Sequence, residues 1–321
     1  MNFELSADQQ LLVTSLQSVL ERFQSPPIGS HGYVLYSEEL QKELSDSGYL
    51  EVANQPDYGL LEATLLIEEI AACPYLAETA ASALISPLIG RLAPPTALVW
   101  ELGKPARFLS VAKTVCVFAD DGIFVGEPRA DDIQIVDSVI AYPLAILRRI
   151  PPDAVHIGGQ AAAAVKRRAL IGIAAEAAGL MTKAISQTVQ HVKERTQFGR
   201  PLAQFQALQH RLAEDTDLAH GCSSLARRAA YTDDDMHAFI ACLYAQEAMP
   251  KVIYDCHQFS GALGLTLEYP LHLWTYRMKF LQGEAGGRGR QSQLAAERIW
   301  AEQIDTATPP RSAATDDSPR S

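Results

Sequence analysis

The apolar positions along the chain change their period twice. Leu11, Leu12, Leu16, Val19 and Leu20 fall on one stripe of a helix reaching from Leu5 to Phe23, and Ser6 followed three residues later by Gln9 gives it a capping box. Helical spacing continues at about 37–47, 59–72 and 76–91, broken by Gly48, Pro56, Gly59 and Cys73-Pro74, so residues 1–92 read as an all-α unit. The period then shortens to that of strands. VCVFADDGIFVGE (115–127) predicts two strands joined at Asp121-Gly122, and QIVDSVIAY (134–142) adds β-rich sequence, making 93–158 a small β domain. From 159 to 305 long helical periodicity returns, interrupted at Gly199-Arg200-Pro201, at Thr232–Asp235 and around Gly261 and Gly264, as in an antiparallel bundle. The tail 306–321, rich in Pro, Ser, Thr and Asp, cannot bury enough apolar surface to offset its ordering entropy and is expected to be disordered. The fold class expected is therefore mainly α with a small β domain.

Composition narrows the function classes. With 321 residues, 48% of them hydrophobic, the chain can build a large core. A net charge of −11 with scattered Lys and Arg leaves no electrostatic footprint for nucleic acid. Cys73, Cys116, Cys222, Cys242 and Cys256 are far apart and make no metal-ligand spacing; with no basic and apolar leader at the N-terminus, they read as reduced core thiols of a cytoplasmic protein. Apolar runs such as 84–90 and 239–245 fall short of the roughly 20 residues that span a bilayer.

The stretch ERTQFGRPLAQFQALQHRLAE (194–214) places a cation and an aromatic beside a chain break. The preceding helix should end near Arg195, Gly199 permits a left-handed turn, and Pro201 suits the start of the next helix. Leu202, Phe205, Leu208 and Leu212 would hold that helix on the bundle, leaving its N-terminus and Arg195 as an anion site for a phosphate or pyrophosphate. An Arg in a last helical turn also simply complements the helix dipole.

KERTQFGRPLAQFQALQHRLAE (193–214) resembles the signature of the acyl-CoA dehydrogenase family, and QFSGALGLTLEYPLHLWTYR (258–277) is similar to its glutamine and glycine-rich turn. The resemblance implies an N-terminal α domain, a reduced middle β domain and a C-terminal four-helix bundle, with FAD as cofactor. It implies that Arg195 and Phe198 contact the FAD diphosphate and adenosine side across a subunit interface, that Gln197 stands where a Thr often meets the flavin, and that Gln258 with Gly261 holds the same FAD from the neighbouring chain. Gly264 matches a second turn glycine. Ala262 replaces a third, and its methyl group stands where the backbone would approach the diphosphate.

The family's reaction needs a Glu base at the substrate Cα, desolvated enough for its pKa to rise. Counted from the motifs, one family position for that base falls at Ala169 and the other at Ala285. Glu284 is the neighbour of the second; it serves if the loop has slipped by one residue, and is otherwise a solvated carboxylate in a Gly-rich turn. Glu176, two turns in from Ala169, reads as an interhelical polar contact. Asp255 and His257 read as capping or core groups, and Trp100 as a core or domain-interface residue.

The β domain is short for the family and lacks its flavin-shelving loop. Retention of the interface-facing FAD contacts with loss of the base is similar to the short subunits of actinobacterial heteromeric acyl-CoA dehydrogenases, many of which act on steroid-CoA esters. This implies a subunit that completes the FAD site of a longer partner, in an α2β2 assembly acting on an acyl-CoA, with an electron-transferring flavoprotein as acceptor. Two alternatives stay open: an active homo-oligomer with Glu284 as base, and a non-enzymatic scaffold.

Overall fold

The computed structural model describes residues 4–25, 34–90 and 92–307. Helix α1 (Ala7–Leu20) begins with the capping box read from the sequence: Ser6 Oγ accepts from Gln9 N, and Gln9 Oε1 accepts from Ser6 N. Its stripe buries Leu16 and Leu20 beside α2 (Glu38–Asp46) and α3 (Leu60–Ala72). The helix expected over 76–91 starts late, as a π-helical turn at Ala81–Ile85 running into α4 (Ser86–Ile89). The cause is competition for the backbone. Leu76 N donates to Leu35 O and Ser37 N to Leu76 O, which holds this stretch extended. The buried Glu78 carboxylate then receives Ala81 N, Ser82 N and Ser82 Oγ at the delayed start.

Seven strands follow: β1 (Thr96–Val99), β2 (Pro105–Arg107), β3 (Thr114–Ala119), β4 (Gly122–Gly126), β5 (Ile133–Val136), β6 (Leu144–Leu147) and β7 (Val155–Ile157). They form one sheet of order β1-β3-β4-β7, with β1 and β3 parallel, and a second antiparallel sheet of order β2-β6-β5. Val99, Val115, Val117 and Leu147 pack between the sheets. The alternate residues Leu98, Cys116 and Ile123 face Ile85, Val165 and Ala169 of the helices. Because both faces of β1 and β3 are covered, those strands read as continuous apolar runs. The β3–β4 turn is Asp120-Asp121, one residue earlier than the sequence suggested, and Gly122 lies inside β4, where a Cβ would stand 2.4 Å from Ile157 O. Of QIVDSVIAY only the first three residues, 134–136, are strand, within β5, and β1, β2, β6 and β7 had no clear periodic signal.

The rest is helical apart from the short strands β8 (Thr196–Gln197) and β9 (Arg200–Pro201): α5 (Gly159–Glu194), α6 (Gln206–Thr232), α7 (Asp235–Ser260), α8 (His272–Leu281) and α9 (Gly287–Ala307). α5 is the central element, packed on α3, α6, α7 and α8. It is long and apolar enough to cross a membrane by composition, yet 83% of its most apolar window is buried in the fold. Gly179 lets α3 and α5 touch, since a Cβ there would lie 2.0 Å from Glu68 O. α8 is tied to the end of α3: Trp274 Nε1 donates to Ala72 O, and the buried Arg277 donates to Ala71 O and Cys73 O, satisfying carbonyls the helix leaves free. All five cysteines are free and buried. The tail beyond 307 lies outside the described residues.

Candidate functional site

The corner after α5 is a miniature hairpin. Thr196 pairs with Pro201 and Gln197 with Arg200, and the two-residue turn Phe198-Gly199 has positive φ at both positions, 55° and 78°. This is the geometry of a type I′ turn, which is costly for a non-glycine residue. The turn holds Phe198 out in solvent, 87% exposed, with its edge toward Phe205. Arg200 stacks over the Phe205 ring at 4.0 Å. Arg195 and Gln197 are exposed, and the Arg195 guanidinium has no hydrogen bond or ion pair to a described residue. Pro201 does not start the next helix as expected: Arg195 O receives Leu202 N, a 3-10 turn covers Leu202–Gln204, and α6 opens only at Gln206.

The glycine turn lies at the same end of the bundle. Phe259 joins Val192 and Leu212 in a small core against which Leu202 and Leu208 pack, so one apolar cluster fixes both motifs. Gln258 is exposed on the last turn of α7, and Gly261 follows at φ 58°, with open space where a Cβ would be. Ala262 is exposed, so its methyl group faces outward from the 3-10 turn Gly261–Leu265. Gly264 serves the turn itself, because a Cβ there would be 2.7 Å from Ser260 Cβ. Asp255 is fully buried and paired with Arg211 and Lys251. His257 Nε2 meets Thr275 Oγ1 at 3.0 Å; both residues are part of the packing.

The two counted base positions are as unreactive as their residue type implies. Ala169 is buried against Leu98 and Ile123, and Ala285 sits at φ 55° in the kink before α9. The carboxylates beside them differ from expectation. Glu284 is not a solvated loop residue: it is 6% exposed, and Arg107 Nε donates to its Oε1 at 2.9 Å. Glu176 is not an interhelical contact: Arg107 Nη1 donates to both its oxygens, at 2.8 and 2.6 Å, and Tyr142 Oη lies 3.4 Å from Oε2. Arg107, 4% exposed, thus clamps α5 and the loop before α9 to strand β2. Sequence reasoning missed it; its only signal was a lone cation within an apolar run.

Burial raises the Glu284 carboxyl above its ordinary range, Arg107 opposes this and Glu176 adds to it. Burial works to lower the Arg107 guanidinium, but its two carboxylate partners lift it well above its ordinary value. One buried cation is shared between two buried carboxylates, so Arg107 offsets only part of the rise that burial causes at Glu284. Glu284 Oε2 and Trp100 Nε1 are buried without a hydrogen bond. Both residues line a cleft of about 370 Å3 bounded by Leu98, Pro105, Ala106 and Phe280. Trp100 stacks flat on Phe118, centroids 4.1 Å apart, and also borders a second cleft of about 610 Å3.

Residues 164–300, comprising α5 to α9 almost entirely, match the model of the acyl-CoA dehydrogenase C-terminal domain. Over these residues the chain carries the acyl-CoA dehydrogenase C-terminal domain. Acyl-CoA dehydrogenase FadE34 of Mycobacterium tuberculosis is 32% identical over 183 residues, 54% of this chain and 24% of its own length. FadE28 of the same organism is 26% identical over 199 residues, 58% of each chain. The chain thus spans between about a quarter and three fifths of these curated relatives' lengths. A chain of the ChsE4-ChsE5 complex from M. tuberculosis superposes with TM-score 0.75 at 19% identity, covering 96% of this chain and all of that one. Butyryl-CoA dehydrogenase from Megasphaera elsdenii gives 0.73 at 20%, covering 94% and 100%. At such identities the likeness establishes the family's fold, and the mainly helical chain with its small β region shares it.

Proposed function

We propose that this chain is the accessory subunit of an FAD-dependent acyl-CoA dehydrogenase, completing the cofactor site of a longer catalytic partner. The observation that carries this reading is a contrast between two ends of α5. At its C-terminal end Arg195, Gln197 and Gln258 are exposed, and Phe198 is held outward by a strained turn. At the other end both base positions are alanine, and the nearest carboxylate is clamped by Arg107. Strain and an unpaired cation are features a surface loop keeps when something binds there.

The residues fit a dinucleotide diphosphate. Arg195 supplies a charge-assisted donor, Gln197 and Gln258 neutral donors, and Phe198 a flat face; the space over Gly261 is open and Ala262 beside it is exposed. FAD when bound supplies the hydride acceptor for α,β-desaturation of an acyl-CoA thioester. The chain's own part is to hold the diphosphate at the subunit boundary and to keep its carboxylates from acting as bases. The α2β2 assembly, a steroid-CoA substrate and an electron-transferring flavoprotein as acceptor belong to this reading. It draws support from the solved ChsE4-ChsE5 complex and from a solved variant described as a Tcur3481-Tcur3483 steroid ACAD, whose chain superposes with TM-score 0.74 at 21% identity.

The second reading, an active homo-oligomer with Glu284 as base, draws on that carboxyl's raised pKa and its place on the cleft wall. Flavin absorbance per chain separates the two. Flavin only in a complex with the longer partner, lost on Arg195→Ala, is expected. About one flavin per chain in the solo protein, with turnover abolished by Glu284→Gln, would overturn the accessory role.

A further inference from the structure

The 610 Å3 cleft lies between the β3–β4 turn, the first turns of α5 and the start of α9. Its volume is within the usual range for small-molecule sites, about 300–1,000 Å3. It opens about 40 Å from Arg195, because Lys166 and Arg195 are separated by most of α5 at a rise of 1.5 Å per residue. A ligand here is therefore separate from anything the corner of the same chain holds.

Two cations line it, Lys166 and Arg290, and neither makes a hydrogen bond or ion pair with a described residue. Arg290 is set in place by its stem, which lies against Gly286: a Cβ on that glycine would be 2.8 Å from Arg290 Cβ. Burial first, and the Arg290 charge second, lower the Lys166 ammonium from its ordinary value, against the pull of Asp235. Two neighbouring cations left unpaired at a cavity wall are a repulsive arrangement that a bound oxyanion relieves. Beside them the stacked pair Trp100 and Phe118 offers a flat apolar surface. The rim also carries Glu101, Asp120 and Asp121, which disfavour a multiply charged ligand.

We propose that this cleft binds a flat, apolar monocarboxylate, its carboxylate between Lys166 and Arg290 and its body against Trp100 and Phe118. Ala285, the second counted base position, borders the same cleft, so the chain can hold such a molecule without drawing a proton from it.

The test is calorimetric titration of the full-length chain with 2-naphthoate, with its neutral amide, and with inorganic phosphate. Saturable binding of 2-naphthoate is expected, at least roughly ten-fold tighter than the amide and than phosphate, since the charge-assisted contact is lost in one and the flat face in the other. Lys166→Met and Arg290→Met should each weaken it by about ten-fold, with unchanged far-UV circular dichroism. Equal affinity for acid and amide, phosphate binding as tightly as naphthoate, no saturable binding, or indifference of naphthoate binding to both substitutions would each overturn the proposal.

Discussion

Arg107→Met removes the cation shared by the buried carboxylates Glu176 and Glu284 while keeping most of the side-chain volume. Arg107, Glu176 and Glu284 are all less than a tenth exposed, so water cannot take over the lost contacts. Breaking a buried pair from one side costs about 3–5 kcal/mol, a large part of a total stability that is itself only about 5–15 kcal/mol. With a urea slope of about 1–3 kcal/mol per molar, the unfolding midpoint should fall by roughly 1–5 M. The sign of the pH dependence follows from the charges. Without Arg107 the Glu284 carboxyl, already raised by burial, favours its proton still more in the folded state, so the variant's deficit should be largest near pH 8 and shrink toward pH 5. Replacing the whole cluster, Arg107→Met with Glu176→Leu and Glu284→Leu, should recover most of the loss, because no uncompensated charge remains. A single-variant cost below about 1 kcal/mol at pH 8, or a deficit that grows on acidification, would refute the account of the clamp as a buried cluster.

The remaining expectations follow from other contacts. Glu284→Gln should change the slope of stability with pH: the native carboxyl is raised by burial, so its contribution is present below the ordinary carboxylate range and is lost as pH rises through the raised value. The wild type's advantage over the variant should therefore narrow from pH 5 to pH 8 in paired urea melts, and a widening gap would contradict it. Gly179→Ala should separate α3 from α5, because its Cβ would meet the Glu68 carbonyl at 2.0 Å; a loss of about 1–3 kcal/mol or more is expected by chemical denaturation. Phe198→Asn should leave the chain as stable or slightly more so, by up to about 1 kcal/mol, since Asn tolerates the left-handed turn, while reducing co-purification with a catalytic partner and its flavin. Labelling of the five buried cysteines by a thiol reagent should be slow in the folded chain and complete in denaturant.

The sequence by itself determined the helices whose signals are local. The capping box at Ser6, the apolar stripe of α1, the breaks at Thr232–Asp235 and the β3–β4 hairpin are all decided by neighbours within a few residues. The two motifs around Arg195 and Gln258 were legible for the same reason, each being a contiguous turn. What tertiary structure alone decided is what depends on distant partners. The helix expected from residue 76 gave way to an extended stretch because Leu35 and Ser37 claim its backbone, and β1, β2, β6 and β7 exist because each is paired with a neighbouring strand, not because each alternates. Glu284 read as solvated because its neighbours in sequence are glycines, but its environment is set by Arg107, 177 residues away. Desolvation and charge pairing are properties of a place in the fold, and no window of the sequence contains them.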